Sequence, residues 1–346
     1  MLSCLKYPPS SCNSPPHPLN YALTFPPNHS CRVQVLRHLT GKRNRVSALT
    51  SRCQAKSADT EKPVSLDNEN DSASSTTSST STSFLSFLCP LLKLFSQGDP
   101  SQARNYNLEF TTSFLSTLAR FPWGSTAVTD SLNNQATISS DPPQRLQLFE
   151  FEACPFCRRV REAMTELDLS VDVYPCPKGS IKHRELVKQL GGKELFPFLV
   201  DPNTGVSMYE SGDIVKYLFQ QYGKRSPSVG LLESTLLTGW MPTLLRAGRG
   251  MSRWEKATPD MPPKKLELFS YENNPNARIV REALCELEIP YVLLNVGAGS
   301  KRTDLLINLS GNQKVPYLVD PNTGAEIGDY KEILAYLFKT YSLAAA

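Results

Sequence analysis

The chain has 346 residues, with 37 Lys and Arg against 33 Asp and Glu, and nine cysteines. That length accommodates two domains of ordinary size and a tail. Five of the nine cysteines lie at or before Cys89, which excludes a secreted disulfide framework. Residues 1–58 contain eight of the basic residues and no acidic one, so 29 basic residues face 33 acidic ones in the remainder. A mildly acidic body argues against nucleic acid as a partner.

The first 58 residues are rich in Ser and Pro and free of acidic residues. An acid-free segment that contains Arg and Ser is typical of an organelle transit peptide. The Ser and Pro content favours the chloroplast, with the stroma as destination, over the mitochondrion, for which a basic amphipathic helix is expected. We therefore predict a transit peptide over 1–55, with a merely disordered tail as the alternative.

Residues 56–104 are predicted to form a low-complexity linker. Its first part is polar and ends in SASSTTSSTSTS, which has too little apolar surface to offset the entropy of ordering. The stretch FLSFLCPLLKLF (84–95) follows and is apolar. Because a bilayer span takes about 20 residues, this stretch predicts a docking helix or a peripheral membrane contact. No segment of the chain predicts a transmembrane helix.

The rest of the sequence contains an internal repeat. LQLFEFEACPFCRRVREA (146–163) recurs as LELFSYENNPNARIVREA (266–283), and FPFLVDPNTG recurs as VPYLVDPNTG. A fainter pair, TSFLSTLAR and TGWMPTLLR, lies upstream of the two cores. The predicted organisation is a lead-in helix and linker (105–144), a first core (145–223), a second lead-in helix and linker (224–264) and a second core (265–342).

Each core predicts seven elements in the same order. In the first core LQLFEF predicts a strand, and Pro155 opens a helix because proline suits the first helical turn. One face of this helix is apolar at helical spacing, through Val160, Ala163, Met164 and Leu167. The remaining elements are a strand (SVDVYP), a helix (HRELVKQL), two strands joined by a DPNTG turn, and a last helix (IVKYLFQQY). This order predicts an α/β protein with two tandem thioredoxin-like domains, each a mixed four-stranded sheet with three helices.

A CPFC motif, Cys154 to Cys157, lies between the first strand and the first helix of the first core. Free backbone N–H groups and the helix dipole favour a thiolate at Cys154 there, and Arg158 and Arg159 add positive charge nearby. A thiolate attacks a disulfide to form a mixed disulfide, which Cys157, one turn along, is placed to resolve. Half of a zinc site is the alternative. It needs further Cys or His ligands that the cores do not offer, so no metal is expected.

These motifs resemble known families. CPFC after a strand is similar to the CPYC motif of glutaredoxins. LxLFEFxxCPFCRRVREA, followed by FPFLVD and YESGDIVKYL, resembles the N-terminal domain of glutathione S-transferases. The CPFC variant is also similar to that of the membrane-associated prostaglandin E synthases of type 2. The resemblance covers about 145–223 and 265–342, and implies glutathione as the cofactor.

The resemblance also implies residues that bind glutathione. Phe196–Pro197 corresponds to the family's cis-proline, whose preceding backbone pairs with the cysteinyl part of glutathione. Glu210 and Ser211 match the pair that holds its γ-glutamyl end, and Pro155 of the CPFC motif completes the set. The alternatives are a proline at a strand edge and a Ser211 that only caps a helix.

The chain departs from glutaredoxins at two places. Phe151 stands where they have a lysine, and Glu210-Ser211 replaces their Gly-Gly pair. Lys182 and Arg184 are candidates to receive the glycyl carboxylate, although a solvated helix face is the simpler interpretation.

The second core has Asn274 and Ala277 where the first has its cysteines, so thiol chemistry is excluded there. Its Asp329, followed three residues later by Glu332, resembles a capping box. We predict that Asp329 occupies the N–H groups that Ser211 leaves to a ligand. The second core is then a degenerate copy, either a surface for protein partners or a wall beside the first core's substrate groove.

The sequence therefore predicts a glutathione-linked thiol–disulfide oxidoreductase. Cys154 attacks protein or glutathione mixed disulfides, and Cys157 or glutathione resolves the intermediate. A glutathione-binding or scaffold module with little turnover is one alternative. Transferase or isomerase chemistry on a small electrophile is another, although an all-helical C-terminal domain, on which such enzymes rely, is not in the sequence. An iron–sulfur cluster shared between two subunits through Cys154 and glutathione also stays open.

Overall fold

The computed structural model describes residues 105–128 and 141–343. The predicted transit peptide (1–55) and low-complexity linker (56–104) lie outside the described residues. None of the helices in the two described ranges is long and apolar enough to cross a membrane.

Two copies of the same seven-element unit follow each other along the chain. The first lead-in is helix α1 (Tyr106–Leu118), and the second is the helix pair α5 (Val229–Thr238) and α6 (Trp240–Leu245). The first repeat consists of β1 (Leu146–Glu150), α2 (Pro155–Glu166), β2 (Val171–Pro175), α3 (Arg184–Gly191), β3 (Phe198–Asp201), β4 (Val206–Met208) and α4 (Ser211–Gln221). The second consists of β5 (Leu266–Ser270), α7 (Pro275–Glu286), β6 (Tyr291–Asn295), α8 (Thr303–Ser310), β7 (Tyr317–Asp320), β8 (Ala325–Ile327) and α9 (Tyr330–Thr340). The order predicted from the sequence is confirmed in both copies.

The two four-stranded sheets are joined into one sheet of eight strands, in the order β4-β3-β1-β2-β6-β5-β7-β8. The join is an antiparallel pairing of β2 with β6, in which Asp172 lies opposite Val292. Each of these strands would otherwise be the edge of its own sheet. Both are largely buried on both faces, so an unpaired edge would leave backbone donors and acceptors next to apolar side chains. Pairing the two edges satisfies them.

Alternate residues of each central strand enter two different cores, because successive side chains of a strand point to opposite faces. Leu148 and Leu268 belong to one apolar cluster that runs through both repeats. Phe149 lies on the other face, in a separate cluster with Val187 of α3. The second repeat has its own equivalent cluster under α8. The two repeats therefore share one apolar core on one face of the sheet, and each has a smaller core of its own on the other face.

Helix α2 is buried on all sides. The predicted apolar face, with Val160 and Met164 at 0% exposure, is confirmed. The opposite face, which carries Arg161 and Glu162, is buried as well. The lead-in helices cause this: α5 and α6 pack on α2, whereas α1 packs on α7 of the second repeat. Each lead-in thus covers a helix of the repeat that does not follow it directly.

Candidate functional site

The CPFC motif sits at the junction of β1 and α2. Cys154 is the N-cap residue of α2, with extended backbone angles (φ −76°, ψ 120°), and Pro155 is the first helical residue. The N–H of Cys157 donates to the Cys154 sulfur at 3.4 Å. A thiol therefore takes the place that a serine or aspartate side chain usually takes at a helix start.

The two thiols differ in acidity. Burial alone would raise the pKa of Cys154. Hydrogen bonds from the Cys157 thiol and from the N–H groups of Cys157 and Phe156 together have the larger opposite effect, so the pKa lies below that of an ordinary cysteine. Burial, the hydrogen bond to Cys154 and the charge of its thiolate raise the pKa of Cys157 well above the ordinary value. Of the two thiols, Cys154 therefore has the lowered pKa and Cys157 the raised one.

The two arginines after the motif are engaged elsewhere. Arg158 Nε lies 3.6 Å from Oε1 of Glu272 in the second repeat. Arg159 donates to the hydroxyl oxygens of Thr235 at 2.9 Å and Ser211 at 3.3 Å. Hydrogen bonds at the helix start, rather than these guanidinium groups, account for the low pKa of Cys154. The predicted role of Arg158 and Arg159 at the thiolate is corrected accordingly.

Cys154 is closed off from solvent, although the attack on a disulfide predicted from the sequence requires a reachable thiol. It is 4% exposed and Cys157 is fully buried. The cover is the junction of α5 and α6. The Thr243 hydroxyl donates to the carbonyl of Ala153 at 2.6 Å, and a Cβ added to Gly239 would lie 3.2 Å from the Cβ of Pro155. Sequence reasoning missed both residues of the cover; their place in the faint lead-in repeat was the signal.

The Phe196–Pro197 peptide bond is cis. The ring of Phe196 lies edge-on to that of Phe151, with centroids 6.1 Å apart. The carbonyl of Phe151 accepts the N–H of Cys154 at 3.1 Å. The residue that stands in place of the glutaredoxin lysine therefore ties the cis-proline loop to the CPFC loop.

Lys182 and Arg184 hold loops together. Lys182 Nζ donates to the carbonyl of Asp260 at 3.1 Å. Arg184 Nε donates to the carbonyl of Pro177 at 2.8 Å, and its Nη1 lies 2.5 Å from Glu194. These contacts engage both side chains, and so do not support a role in receiving a glycyl carboxylate.

Glu210 and Ser211 lie where α4 begins. Glu210 occupies the N-cap position with φ 65°, a strained conformation for a residue with a side chain, and it makes no side-chain cap. Its side chain is exposed, whereas Ser211 is 5% exposed and accepts a hydrogen bond from Arg159. Arg159 belongs to α2, so the predicted γ-glutamyl site and the CPFC helix are linked by a single side chain.

In the second repeat, the helix starts that correspond to those of α2 and α4 are both capped by side chains of the repeat itself. Asn274 Oδ1 accepts the N–H of Ala277 at 2.9 Å and caps α7 as Cys154 caps α2. Asp329 Oδ1 accepts the N–H groups of Lys331 at 2.8 Å and Glu332 at 3.2 Å at the start of α9. The start of α4 has no such side-chain cap.

The other two cysteines of the described ranges are packing residues. Cys176 and Cys285 are buried, and burial raises the pKa of each thiol well above its ordinary value. The Cys285 thiol donates to the carbonyl of Gly250 at 3.2 Å. Within residues 105–128 and 141–343, no group of three or more metal-ligating side chains comes together.

The chemistry-bearing repeat is a thioredoxin-like domain, defined by its fold and by a cysteine pair at a strand–helix junction. Residues 148–226 and 268–345 match the family model of the glutathione S-transferase N-terminal domain. The chain thus carries two tandem domains of this type. Among solved structures, the unique trimeric glutathione transferase TDR1 of Leishmania is similar at 14% identity and a TM-score of 0.23, over 59% of this chain and 68% of that chain. No curated protein matches the chain.

Proposed function

We propose that the first repeat is a glutathione-dependent thiol–disulfide exchange centre with Cys154 as its nucleophile. The observation that carries this proposal is the position of Cys154 at the start of α2, where its sulfur accepts the N–H of Cys157 at 3.4 Å. Of the two thiols, Cys154 has the lowered pKa and Cys157 the raised one. The thiolate is the reactive form in disulfide exchange.

The proposed reaction has two steps. The Cys154 thiolate attacks the glutathione sulfur of a glutathionylated protein, forms a disulfide with it and releases the protein thiolate, which takes up a proton. A second glutathione thiolate then attacks that disulfide, which releases oxidised glutathione and restores Cys154. Alternatively, Cys157 loses its proton and attacks Cys154, which releases reduced glutathione and leaves an internal disulfide.

The start of α4 supports glutathione as the second substrate. No side chain caps this helix. The N–H of Asp213 donates to the carbonyl of Glu210 at 3.0 Å, so the N–H groups of Ser211 and Gly212 and the helix dipole are those available to a carboxylate. The Ser211 hydroxyl accepts its hydrogen bond from Arg159 and keeps its own hydrogen for a ligand. The exposed carboxylate of Glu210 suits the ammonium group at the γ-glutamyl end. Asp329 blocks the equivalent place in the second repeat.

Exchange with a protein substrate requires the cover to move. The bonds that close it are those from Thr243 to Ala153 and from Arg159 to Thr235. Opening of such a cover is a common gating step in enzymes. The closed cover is also the observation that favours the second candidate, a glutathione-binding module with little turnover.

Reduction of a glutathionylated peptide by the full chain in the presence of glutathione separates the two candidates. We expect activity in the wild type and none in Cys154→Ser. When glutathione is left out, Cys157→Ser should retain the mixed disulfide with glutathione, because neither resolving thiol is then present. Cys285→Ser, which removes a buried thiol outside the motif, is the matched control and should retain activity. Glutathione binding without reduction in the wild type would establish the binding module instead.

We also propose that the protein is imported into the chloroplast stroma, on the composition of residues 1–58. A fluorescent protein fused behind these residues should enter plastids and lose the segment. Fluorescence that stays in the cytosol or enters mitochondria would contradict the proposal.

A further inference from the structure

Helix α1 is amphipathic, but its polar face points toward the protein and its apolar face points outward. Its inward face consists of small polar residues: Ser113 and Ser116 are fully buried, and the Ser113 hydroxyl donates to the carbonyl of Pro275 at 2.6 Å. Its outward face carries Leu108, Leu115 and Leu118, which are 61%, 44% and 54% exposed. A surface helix normally turns its apolar stripe inward. The outward stripe of α1 therefore has no partner among the described residues.

The second lead-in has the same inversion. Thr235 and Thr243 point inward and are 1% and 5% exposed. Leu237, Met241 and Leu244 point outward and are 82%, 45% and 52% exposed. In the lead-in repeat, Met241 and Leu244 correspond to Leu115 and Leu118 of α1. Because apolar side chains point outward in both lead-ins, we attribute this feature to the repeated unit rather than to one helix.

The two stripes lie on neighbouring helices, because α6 packs against both α1 and α5. We call the two stripes together the lead-in face, defined by Leu108, Leu115, Leu118, Leu237, Met241 and Leu244. At roughly 100 Å² of exposed apolar area for each side chain, the face amounts to on the order of 600 Å². Apolar patches larger than a few hundred Å² mark interaction sites in soluble proteins.

The charge of the lead-in helices narrows the choice of occupant. Helices α1, α5 and α6 contain no lysine or arginine, and Glu233 is the exposed acid among them. Helices that lie on anionic membranes carry lysine and arginine on their polar face, which pair with lipid phosphates. A partner that is itself apolar and nearly uncharged fits this face better.

We propose that the lead-in face binds the segment FLSFLCPLLKLF (84–95) of the same chain. Nine of its twelve residues are Phe, Leu or Cys, and Lys93 is its one charge. The segment thus has the apolar, nearly uncharged composition that fits the lead-in face. It is too short to span a membrane, and it takes no part in the proposed exchange reaction.

The distance along the chain favours this segment over a second copy of the protein. Nine residues, 96–104, separate it from the start of the described chain at Asn105. They span at most about 30 Å, and α1 is about 20 Å long, so the segment reaches the whole length of α1 and, beside it, the helix α6 that packs on α1. A tether of this length gives an effective concentration in the millimolar range. A second copy would have to exceed that concentration to compete.

A cysteine cross-link tests the proposal on the full chain, because the segment contains Cys89. Serine replaces Cys4, Cys12, Cys31 and Cys53, and the four cysteines of the described ranges are buried. Leu115→Cys or Met241→Cys then places a thiol on the face. Leu190→Cys, on α3 at the other side of the sheet, is the matched control with 49% exposure. Mild oxidation is followed by peptide mapping.

We expect a disulfide within one chain between Cys89 and the thiol introduced at Leu115 or Met241. Its rate should be independent of protein concentration and about tenfold or more above that of the Leu190→Cys control, and Leu92→Asp should reduce it to the control rate. A disulfide between two chains that rises with concentration would assign the face to a second copy. Flotation with neutral phosphatidylcholine vesicles without a cross-link would assign it to a membrane. Either result, or equal rates at all three positions, overturns the proposal.

Discussion

Arg161 of the first repeat donates to Glu272 of the second at 2.8 Å, and the equivalent Arg281 donates to Glu152 at 3.1 Å. Both arginines are at most 1% exposed. Each repeat thus supplies the acid that its neighbour's arginine needs, in a reciprocal, buried arrangement between α2 and α7. The charged part of the repeated VREA motif is therefore part of the interface between the repeats.

Arg281→Met tests how strongly this arrangement holds the fold. The substitution keeps most of the side-chain volume but leaves Glu152 buried with one partner fewer. Loss of one member of a buried ion pair typically costs 3–5 kcal/mol, so we expect the free energy of unfolding to fall by about 4 kcal/mol in urea denaturation. Lys216→Met, in the exposed pair with Asp213, is the control and should change it by less than about 1 kcal/mol. A small effect of Arg281→Met would mean that the reciprocal pairs are not what joins the repeats.

Glu150 makes the stability of the fold depend on pH below neutrality. Burial raises its pKa from 4.5 to about 7 despite the nearby Arg161. The folded protein therefore keeps this proton between about pH 4.5 and 7, whereas the unfolded chain releases it. The contribution of Glu150 to stability is full below pH 4.5 and declines by about 3 kcal/mol as the pH rises to 7.

Urea unfolding of the wild type and Glu150→Gln at several pH values measures this decline. The difference between their free energies of unfolding should fall between pH 4.5 and 7 and then level off, because glutamine cannot ionise. A difference that stays constant over this range would place the pKa of Glu150 near its ordinary value.

The fold was predictable from the sequence because the repeat states each element twice. Cys154 at the start of α2 followed from a proline after a strand, and the cap by Asp329 followed from its spacing to Glu332. The joined sheet was not predictable. Nothing local to β2 or β6 says that two edges, about 120 residues apart, pair with each other.

The cover over Cys154 was missed for a related reason. Periodicity finds the apolar face of α2, but the opposite face carries Arg158, Arg161 and Glu162, and such residues normally indicate solvent. Only the fold reveals that the lead-in helices and the second repeat bury them together with side chains of opposite charge, Arg120 for Glu162 and Glu272 for the two arginines. The burial of the CPFC motif is a consequence of the same packing.

Asp201 is a buried carboxylate that accepts the hydroxyls of Tyr217 at 2.6 Å and Tyr222 at 2.5 Å. Burial alone would raise its pKa, but these hydrogen bonds together have the larger effect, so the pKa of Asp201 lies below the ordinary value. Hydrogen bonds to charged groups contribute about 1.5–3 kcal/mol each. We therefore expect Asp201→Asn to lower the free energy of unfolding by about 3 kcal/mol at pH 7.

The sign of the pH dependence checks this assignment. A lowered folded pKa stabilises the fold above pH 3.8, and the stabilisation is lost as the pH falls through the folded pKa. The difference between wild type and Asp201→Asn should therefore shrink below about pH 4. Asp320→Asn, at the equivalent place in the second repeat, should behave alike, and Asp213→Asn on the surface should have little effect.

Thr243→Val tests the cover. The variant loses the hydrogen bond to the Ala153 carbonyl, worth about 1 kcal/mol, so the population with an accessible Cys154 should rise about fivefold. The rate of Cys154 alkylation by iodoacetamide, followed by mass spectrometry, should rise by the same factor. It should increase with pH and reach half of its maximum below pH 9, because the pKa of Cys154 is lowered. Thr243→Ser keeps the hydroxyl and should react like the wild type; an equal increase in both variants would exclude the hydrogen bond as the restraint.

Asp329 and Glu210 occupy equivalent positions with different roles, and one substitution at each separates them. Asp329→Ala removes the side-chain cap of α9, so we expect a loss of about 1 kcal/mol in the free energy of unfolding and unchanged glutathione affinity. Glu210→Gln removes an exposed charge that makes no cap, so stability should be nearly unchanged while glutathione binds about tenfold more weakly. Thermal unfolding and isothermal titration of both full-length variants measure the two effects. If Asp329→Ala weakened glutathione binding as much as Glu210→Gln did, the ligand would lie in the second repeat and the proposed site in the first would be wrong.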